Sequence, residues 1–239
     1  MNTLVIDLET IPIEAYTWGL WEVNIPINMI KEPGQVICFA SKWLGNKYTS
    51  FTRGPDMIEE AWKLLDKADA VIHYNGKKFD VPHLNTEFLL AGLDIPSPYK
   101  QIDLCNVMKK QFKFPSNKLQ YVSTALGLPG KVDTGGFELW KGVMANDEKA
   151  WAKMEKYNVQ DVRVTEQLYT RLGSWIPNLP SRQLYDEIEG CPSCGSAHLQ
   201  RRGYSYTKVS KFVKYQCVNC GGYFRSTRRE AGVTLTEAL

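Results

Sequence analysis

Apolar and polar positions alternate in short runs through the first half of the chain and give way to a long three-four repeat further on. The run TLVIDLET at residues 3–10 has β-branched members and ends at Ile11-Pro12, which predicts a strand. Residues 35–43 and 47–52 predict a hairpin turning at Gly45-Asn46, and shorter strands are predicted near 70–74 and 100–103. Helices are predicted near 56–67, 81–91, 104–111, 118–126 and 147–172. The last is the most legible: Trp151, Met154, Asn158, Asp161, Thr165, Leu168 and Leu172 recur at steps of three and four and define one inward stripe. Strands first, then alternation with helices, indicate an α/β fold with a mixed sheet covered by helices. Residues 11–33 read as a long connection containing Trp and Pro. Residues 129–140, with Gly130, Gly135 and Gly136, read as a loop flanking a cleft.

Set on this frame, the acidic residues fall in telling places. Side chains alternate along a strand, so Val5, Asp7 and Glu9 share one face while Leu4, Ile6 and Leu8 share the other. Two carboxylates thus project together from the end of a strand expected to be central, where burial demands a cation or other partner; a strand end reaching solvent is the competing account. Asp80 follows the strand at 70–74 and the Asn75-Gly76 pair, just ahead of Pro82 and an apolar repeat through Leu84 and Phe88. Capping the helix would by itself account for an Asp there. Asp161 lies mid-stripe on the longest helix, with Tyr157 one turn earlier beside it. Asn75 suits either a substrate contact or an Asn-Gly turn. Asp103 suits an extra acid or a helix start, and His73 and His83 read as structural.

Read together, D-x-E, N-x-x-x-F-D and Y-x-x-x-D resemble the three exonuclease motifs of the DEDD superfamily. The tyrosine (DEDDy) type, as in the proofreading domains of family B DNA polymerases, is the closer match, because Lys156 stands where the histidine type would have His. The whole chain also resembles free-standing phage exonucleases that carry a zinc ribbon after the nuclease domain. The resemblance implies a ribonuclease H-like fold and a 3′→5′ exonuclease, with Asp7, Glu9, Asp80 and Asp161 holding two Mg²⁺ or Mn²⁺ ions, Asp7 bridging both, and Tyr157 orienting the attacking water. Paired hard cations suit this chemistry, since they stabilise the nucleophile, the phosphoryl group and the leaving oxygen at once. Asn75 and Phe79 of the second motif become candidate nucleic-acid contacts. Single-stranded DNA is the expected substrate, with an RNA exonuclease as the alternative. A non-catalytic nucleic-acid-binding adaptor is the alternative from another class. No polymerase region is present, so proofreading would call for a separate polymerase or replication protein.

Near the other end, Cys191-Pro-Ser-Cys194 and Cys217-Val-Asn-Cys220 form two C-x-x-C knuckles, each followed by Gly. Four thiolates from two tight turns suit one structural Zn²⁺; two disulfides are the competing account. Cys38 and Cys105, in apolar stretches, read as buried thiols. The expected organisation is a nuclease domain at 1–178, a linker at 179–190, a zinc ribbon at 191–229 and a tail at 230–239.

Charge sharpens this division. Residues 191–229 hold eight of the chain's 29 Lys and Arg and none of its 26 Asp and Glu, so the remainder carries a net −5. Ribbon bases, among them Arg201, Arg202, Lys208, Lys211, Lys214 and Arg225, are interleaved with Tyr204, Tyr206, Phe212, Tyr215, Tyr223 and Phe224. That pattern suits a surface that grips a nucleic-acid backbone and stacks on bases, although some of these rings must form the ribbon's small core. With 239 residues and 44% hydrophobic content, the chain can bury one sizeable core and attach one small module. No basic leader precedes an apolar stretch and no run reaches about 18 apolar residues, so a soluble, cytoplasmic protein with no membrane partner is expected.

Overall fold

The computed structural model describes residues 1–130, 133–185 and 189–236. The parts of the glycine-containing loop, the linker and the tail at 131–132, 186–188 and 237–239 lie outside them. Two compact units are present, residues 2–169 and, with Met1, residues 170–239.

In the larger unit, β1 (Thr3–Thr10) is followed by a two-stranded hairpin of β2 (Glu14–Ala15) and β3 (Ile30–Glu32). Next come β4 (Val36–Trp43), β5 (Ser50–Arg53), α1 (Met57–Asp66), β6 (Ala70–His73), α2 (Asp80–Leu90) and β7 (Lys100–Asp103). Four helices follow: α3 (Leu104–Gln111), α4 (Leu119–Ala125), α5 (Glu138–Met144) and α6 (Glu148–Leu172). Five strands form one sheet in the order β5-β4-β1-β6-β7, antiparallel from β5 to β1 and parallel from β1 to β7. This is a mixed α/β architecture, as the strand-then-alternation pattern led us to expect, and it fits the ribonuclease H-like fold that the resemblance implies.

Strand alternation decides what each face of β1 does. Leu4, Ile6 and Leu8 are buried against Met57, Ala61 and Leu65 of α1 and Leu84 and Phe88 of α2. Each such side chain withdrawn from water contributes roughly 1.5–3 kcal/mol. The α1 trio is spaced i, i+4, i+8, a single helical face. On the other face, Cys38 packs with Leu139 and Val143 of α5 and Met154 of α6. The α6 stripe is buried as predicted: Met154, Asn158 and Leu168 are fully inaccessible, and Asp161 and Thr165 nearly so. Lys42 of β4 and Glu166 of α6 form a largely buried ion pair, and Glu166 also accepts from the Gly45 N–H at 3.3 Å.

Two local departures from expectation have simple causes. Residues 138–144 form α5, whose start falls inside the loop expected at 129–140, because Leu139 and Val143, one turn apart, both bury. The expected connection at 11–33 contains the β2–β3 hairpin and leaves Trp18 and Trp21 at 95% and 87% exposure.

The second motif's loop is held in one shape. Asn75 has a left-handed φ of 68°, which Asn tolerates better than most residues. Its N–H and that of Lys77 donate to the Asp103 carboxylate at 3.1 and 3.3 Å, and the same carboxylate caps α3 through the Asn106 N–H. A Cβ at Gly76 would lie 2.5 Å from Cγ of the fully buried His73 ring. Gly76→Ala is therefore expected to destabilise the protein by about 1–3 kcal/mol, the usual range for overpacking. Chemical denaturation checks this, and an unchanged midpoint would show that the loop yields freely.

The smaller unit contains a sheet in the order β10-β9-β8, from β8 (Leu199–Tyr206), β9 (Ser210–Cys217) and β10 (Tyr223–Gly232). Gly195 and Gly221, which follow the two knuckles, have φ of 77° and 73°, a conformation open to Gly at little cost. Their N–H groups close the turns onto the Cys191 and Cys217 carbonyls at 2.8 and 2.9 Å.

Candidate active site

Acidic side chains converge at the end of β1. Asp7, Glu9 and Asp161 place carboxylate oxygens within 4.8 Å of one another, two from the strand and one from α6. The strand supplies the Asp7–Glu9 pair because residues two apart share a face. A register shift between Glu9 and Thr10 follows at once, where β4 carries an extra residue opposite β1. Such bulges redirect the strand end and the side chains on it.

Asn158 fixes the geometry of the strand carboxylate. It is fully buried, and its amide donates to Asp7 twice, to Oδ2 at 2.8 Å and to the backbone carbonyl at 3.1 Å. One helical turn therefore presents both an acid, Asp161, and the amide that orients another acid. Asn158 lay on the predicted stripe without a role assigned to it. The signal available was a polar amide in the middle of an otherwise buried face, next to Tyr157.

Tyr157 stands over the same cluster. Burial, together with Glu9, Asp161 and Asp7 and a hydrogen bond with Asp161, pushes its phenol well above the ordinary value. The ring meets Trp140 edge-on at 6.2 Å, and Trp140 donates its indole N–H to the Thr10 carbonyl at 3.0 Å. Trp140 thus joins the end of β1 to Tyr157. Sequence reasoning placed it at a loop boundary and missed this, because the partner is a backbone carbonyl 130 residues away.

Asp80 lies close by but outside the three-carboxylate group. It is the first residue of α2, with Phe79 at the cap position, so the expected capping role shifts by one residue. Its Oδ1 accepts from the Leu8 N–H at 3.1 Å. That N–H is open because the register between β1 and β6 ends at Val5–Ile72. Burial pushes the Asp80 carboxyl up to about 7, against the Leu8 hydrogen bond. Phe79 is 40% exposed and stacks edge-on against His83 at 4.7 Å, and Asn75 spends its N–H on Asp103.

Asp7 and Glu9 are half-buried and Asp161 is buried, and such a group, with only hard oxygen donors, suits Mg²⁺ or Mn²⁺. The four ribbon sulfurs suit a softer ion. They lie within 4.8 Å of one another, with Cys191–Cys220 and Cys194–Cys217 both at 3.6 Å. A disulfide would need about 2.0 Å, whereas Zn–S bonds of about 2.3 Å in a tetrahedron set the sulfurs roughly 3.8 Å apart. Cys38 and Cys105 are buried thiols, as expected.

Sheet order, flanking helices and an acid cluster at the end of the central strand define a nuclease-like α/β protein. A family model of the RNase_H superfamily matches residues 31–173, more than half of the chain, and the chain belongs to that superfamily. The match includes Asp80, Tyr157 and Asp161 and begins after the strand that carries Asp7 and Glu9. Members are mostly nucleases that use divalent metals, which makes nucleic acid the substrate class. No curated protein matches the chain. Among the described residues no helix is long and apolar enough to cross a membrane.

Two outcomes test the site. Asn158→Ala should weaken Mn²⁺ binding by about 10–100-fold, the usual cost of losing a residue that orients a ligand. Titration calorimetry measures it, and unchanged affinity would reduce Asn158 to packing. For Asp80, the folded carboxyl titrates near 7 and the unfolded one near 3.8. Its contribution to stability is therefore complete below about pH 4 and is lost as pH rises to about 7, a loss of order a few kcal/mol. In cation-free buffer the Asp80→Asn variant should lack that decline in denaturation midpoint. An identical pH profile would place the buried titration elsewhere.

Proposed function

We propose that the chain is a metal-dependent 3′→5′ exonuclease acting on single-stranded DNA, with the zinc ribbon assisting nucleic-acid binding. The observation that carries the reading is the convergence of Asp7, Glu9 and Asp161 within 4.8 Å, with the Tyr157 hydroxyl hydrogen-bonded into the same cluster. Asp7, Glu9 and Asp161 form the main ligand set for a pair of Mg²⁺ or Mn²⁺ ions. Asp80 is the fourth acid, anchored to β1 by Leu8. Two such ions, when bound, supply an activated water and neutralise charge on the phosphoryl group and leaving oxygen.

The chain's own contribution is positioning. Asn158 locks the Asp7 rotamer, so the carboxylate does not have to be ordered when cations and substrate arrive. Tyr157, held protonated by burial and neighbouring acids, acts as a hydroxyl that orients the attacking water. A phenol raised in this way is a poor base at neutral pH unless bound cations lower it. Trp140 fixes the Tyr157 ring from the side and keeps that hydroxyl over the cluster.

End-labelled single-stranded DNA and RNA of matched sequence, incubated with Mg²⁺ or Mn²⁺, test the proposal. Wild-type protein should shorten DNA stepwise from its 3′ end and Asp7→Asn should not. Tyr157→Phe should retain cation and strand binding and lose rate by about 10²-fold, within the range for a positioned proton-handling group. Faster digestion of RNA would move the substrate to RNA. Binding of both strands with no cleavage of either would leave an adaptor in place of the enzyme.

A further inference from the structure

Strand register in the smaller unit sorts the ribbon's basic residues onto two different faces. On β9, alternation sets Lys211, Val213, Tyr215 and Cys217 on one side and Phe212, Lys214 and Gln216 on the other. Val213 and Cys217 are the buried residues of this sheet, so their side is the inner face. Tyr204 pairs with Val213, and Arg201 and Phe224 both pair with Tyr215, which places all three on that face as well. There Tyr204 is enclosed by cations: the Lys211 ammonium stands 3.7 Å from its ring centre and the Arg201 guanidinium 5.2 Å, with a 2.8 Å hydrogen bond from Arg201 to its hydroxyl.

The opposite face has a different character. Arg225 pairs with Lys214, Arg229 with Phe212 and Tyr223 with Gln216, and Arg202 reaches Gln216 through a 3.0 Å hydrogen bond. Four cations therefore share one side of a three-stranded sheet, and no Asp or Glu occurs between residues 199 and 229. Arg225 covers the Phe212 ring at 4.0 Å, whereas the Lys214 ammonium stands farther from the Tyr223 ring, at 6.0 Å, and Tyr223 remains 58% exposed.

We propose that the face bearing Arg202, Lys214, Arg225, Arg229 and Tyr223 grips single-stranded nucleic acid, while Arg201 and Lys211 serve the ribbon's inner face by bracing Tyr204. The proposal rests on the nuclease reading for the identity of the polyanion. Cations along a strand surface neutralise successive phosphates, and an open tyrosine accepts a base of any sequence. Arg201 and Lys211 converge on one ring, and Arg201 also bonds its hydroxyl, so their loss alters packing more than strand affinity, whereas Lys214 and Arg225 each face a single ring on the other side.

The test measures binding of the full zinc-loaded chain to a labelled oligothymidylate of about twenty nucleotides, without added Mg²⁺ or Mn²⁺, across a salt series. Replacing Arg202, Lys214, Arg225 and Arg229 by Gln should reduce affinity at least tenfold. It should also flatten the salt slope by roughly 2 to 3, since each phosphate contact contributes about 0.7. Arg201→Gln with Lys211→Gln should stay within about twofold of wild type. A charge-conserving variant, Arg202→Lys with Arg225→Lys and Arg229→Lys, should bind like wild type. It guards against loss of folding, as does unchanged zinc content in every variant. Tyr223→Ala should weaken binding of oligothymidylate but not of an abasic strand of equal length. Equal losses from both faces, or wild-type affinity and salt slope in the fourfold variant, would overturn the assignment. Cleavage is scored separately on the same preparations. A chain that binds through this face and cleaves nothing refutes the exonuclease reading alone, whereas an active exonuclease whose fourfold variant binds normally refutes this one alone.

Discussion

Carboxylates held within 4.8 Å of one another repel, by about 4 kcal/mol per pair at an effective dielectric of 20, and the larger unit is built so that they cannot move apart. β1 is hydrogen-bonded on one side along nearly its whole length and on the other along its first half, and it is packed on its apolar face by two helices. α6 is tied to the sheet by its buried stripe and by the Lys42–Glu166 pair. With both supports rigid, the repulsion is relieved only by protons or by cations. That choice suits the arrangement to a divalent metal, which these three acids could hold, and the fold keeps the donors in place.

Around this cluster, neutral donors manage the surplus of acceptors. Asn158 takes up Asp7, the Leu8 N–H takes up Asp80, and the N–H groups of Asn75, Lys77 and Asn106 take up Asp103. Each is a backbone or amide group, so each orients an acid without cancelling its charge. A Lys or Arg in these places would compete with a cation for the same carboxylate. Burial pushes the nearby His73 imidazole down, against the pull of Asp103 3.8 Å away, so no imidazolium is promoted there either.

Much of this was legible in the sequence because it follows from period. The strand pattern put Asp7 and Glu9 on one face, and the three-four repeat put Asp161 mid-stripe; both facts survive any uncertainty about where elements end. What stayed hidden depends on contacts between distant segments. The sequence offered Asp80 as a metal-holding acid or a helix cap, whereas its depth and its Leu8 partner come from where the β1–β6 ladder stops. Asn158 could be counted onto the stripe, but nothing local says that its amide meets Asp7, 151 residues earlier. The helix at 138–144 is too short to show more than one apolar repeat, Leu139 and Val143, and the glycines before it suggested a loop. In the ribbon, composition exposed the basic character, but only the register on β9 divides Arg201 from Arg202.

On the function proposed above, the two units divide an electrostatic task. Residues 2–169 hold 19 Lys and Arg against 21 Asp and Glu, a net −2, and three of those acids converge at the end of β1. Bound divalent cations correct this locally, but their influence is screened beyond about a Debye length, roughly 8 Å at physiological salt. A phosphate backbone arriving from farther away meets a nearly neutral unit that offers it little attraction. The ribbon, with eight bases and no acid, supplies the opposite sign, reduced by about two charges if its four thiolates hold Zn²⁺. On that proposal attraction and chemistry reside on separate units, because one surface could not hold both. A cluster acidic enough to hold metal repels the substrate, and a surface basic enough to hold the substrate would neutralise the acids that metal needs.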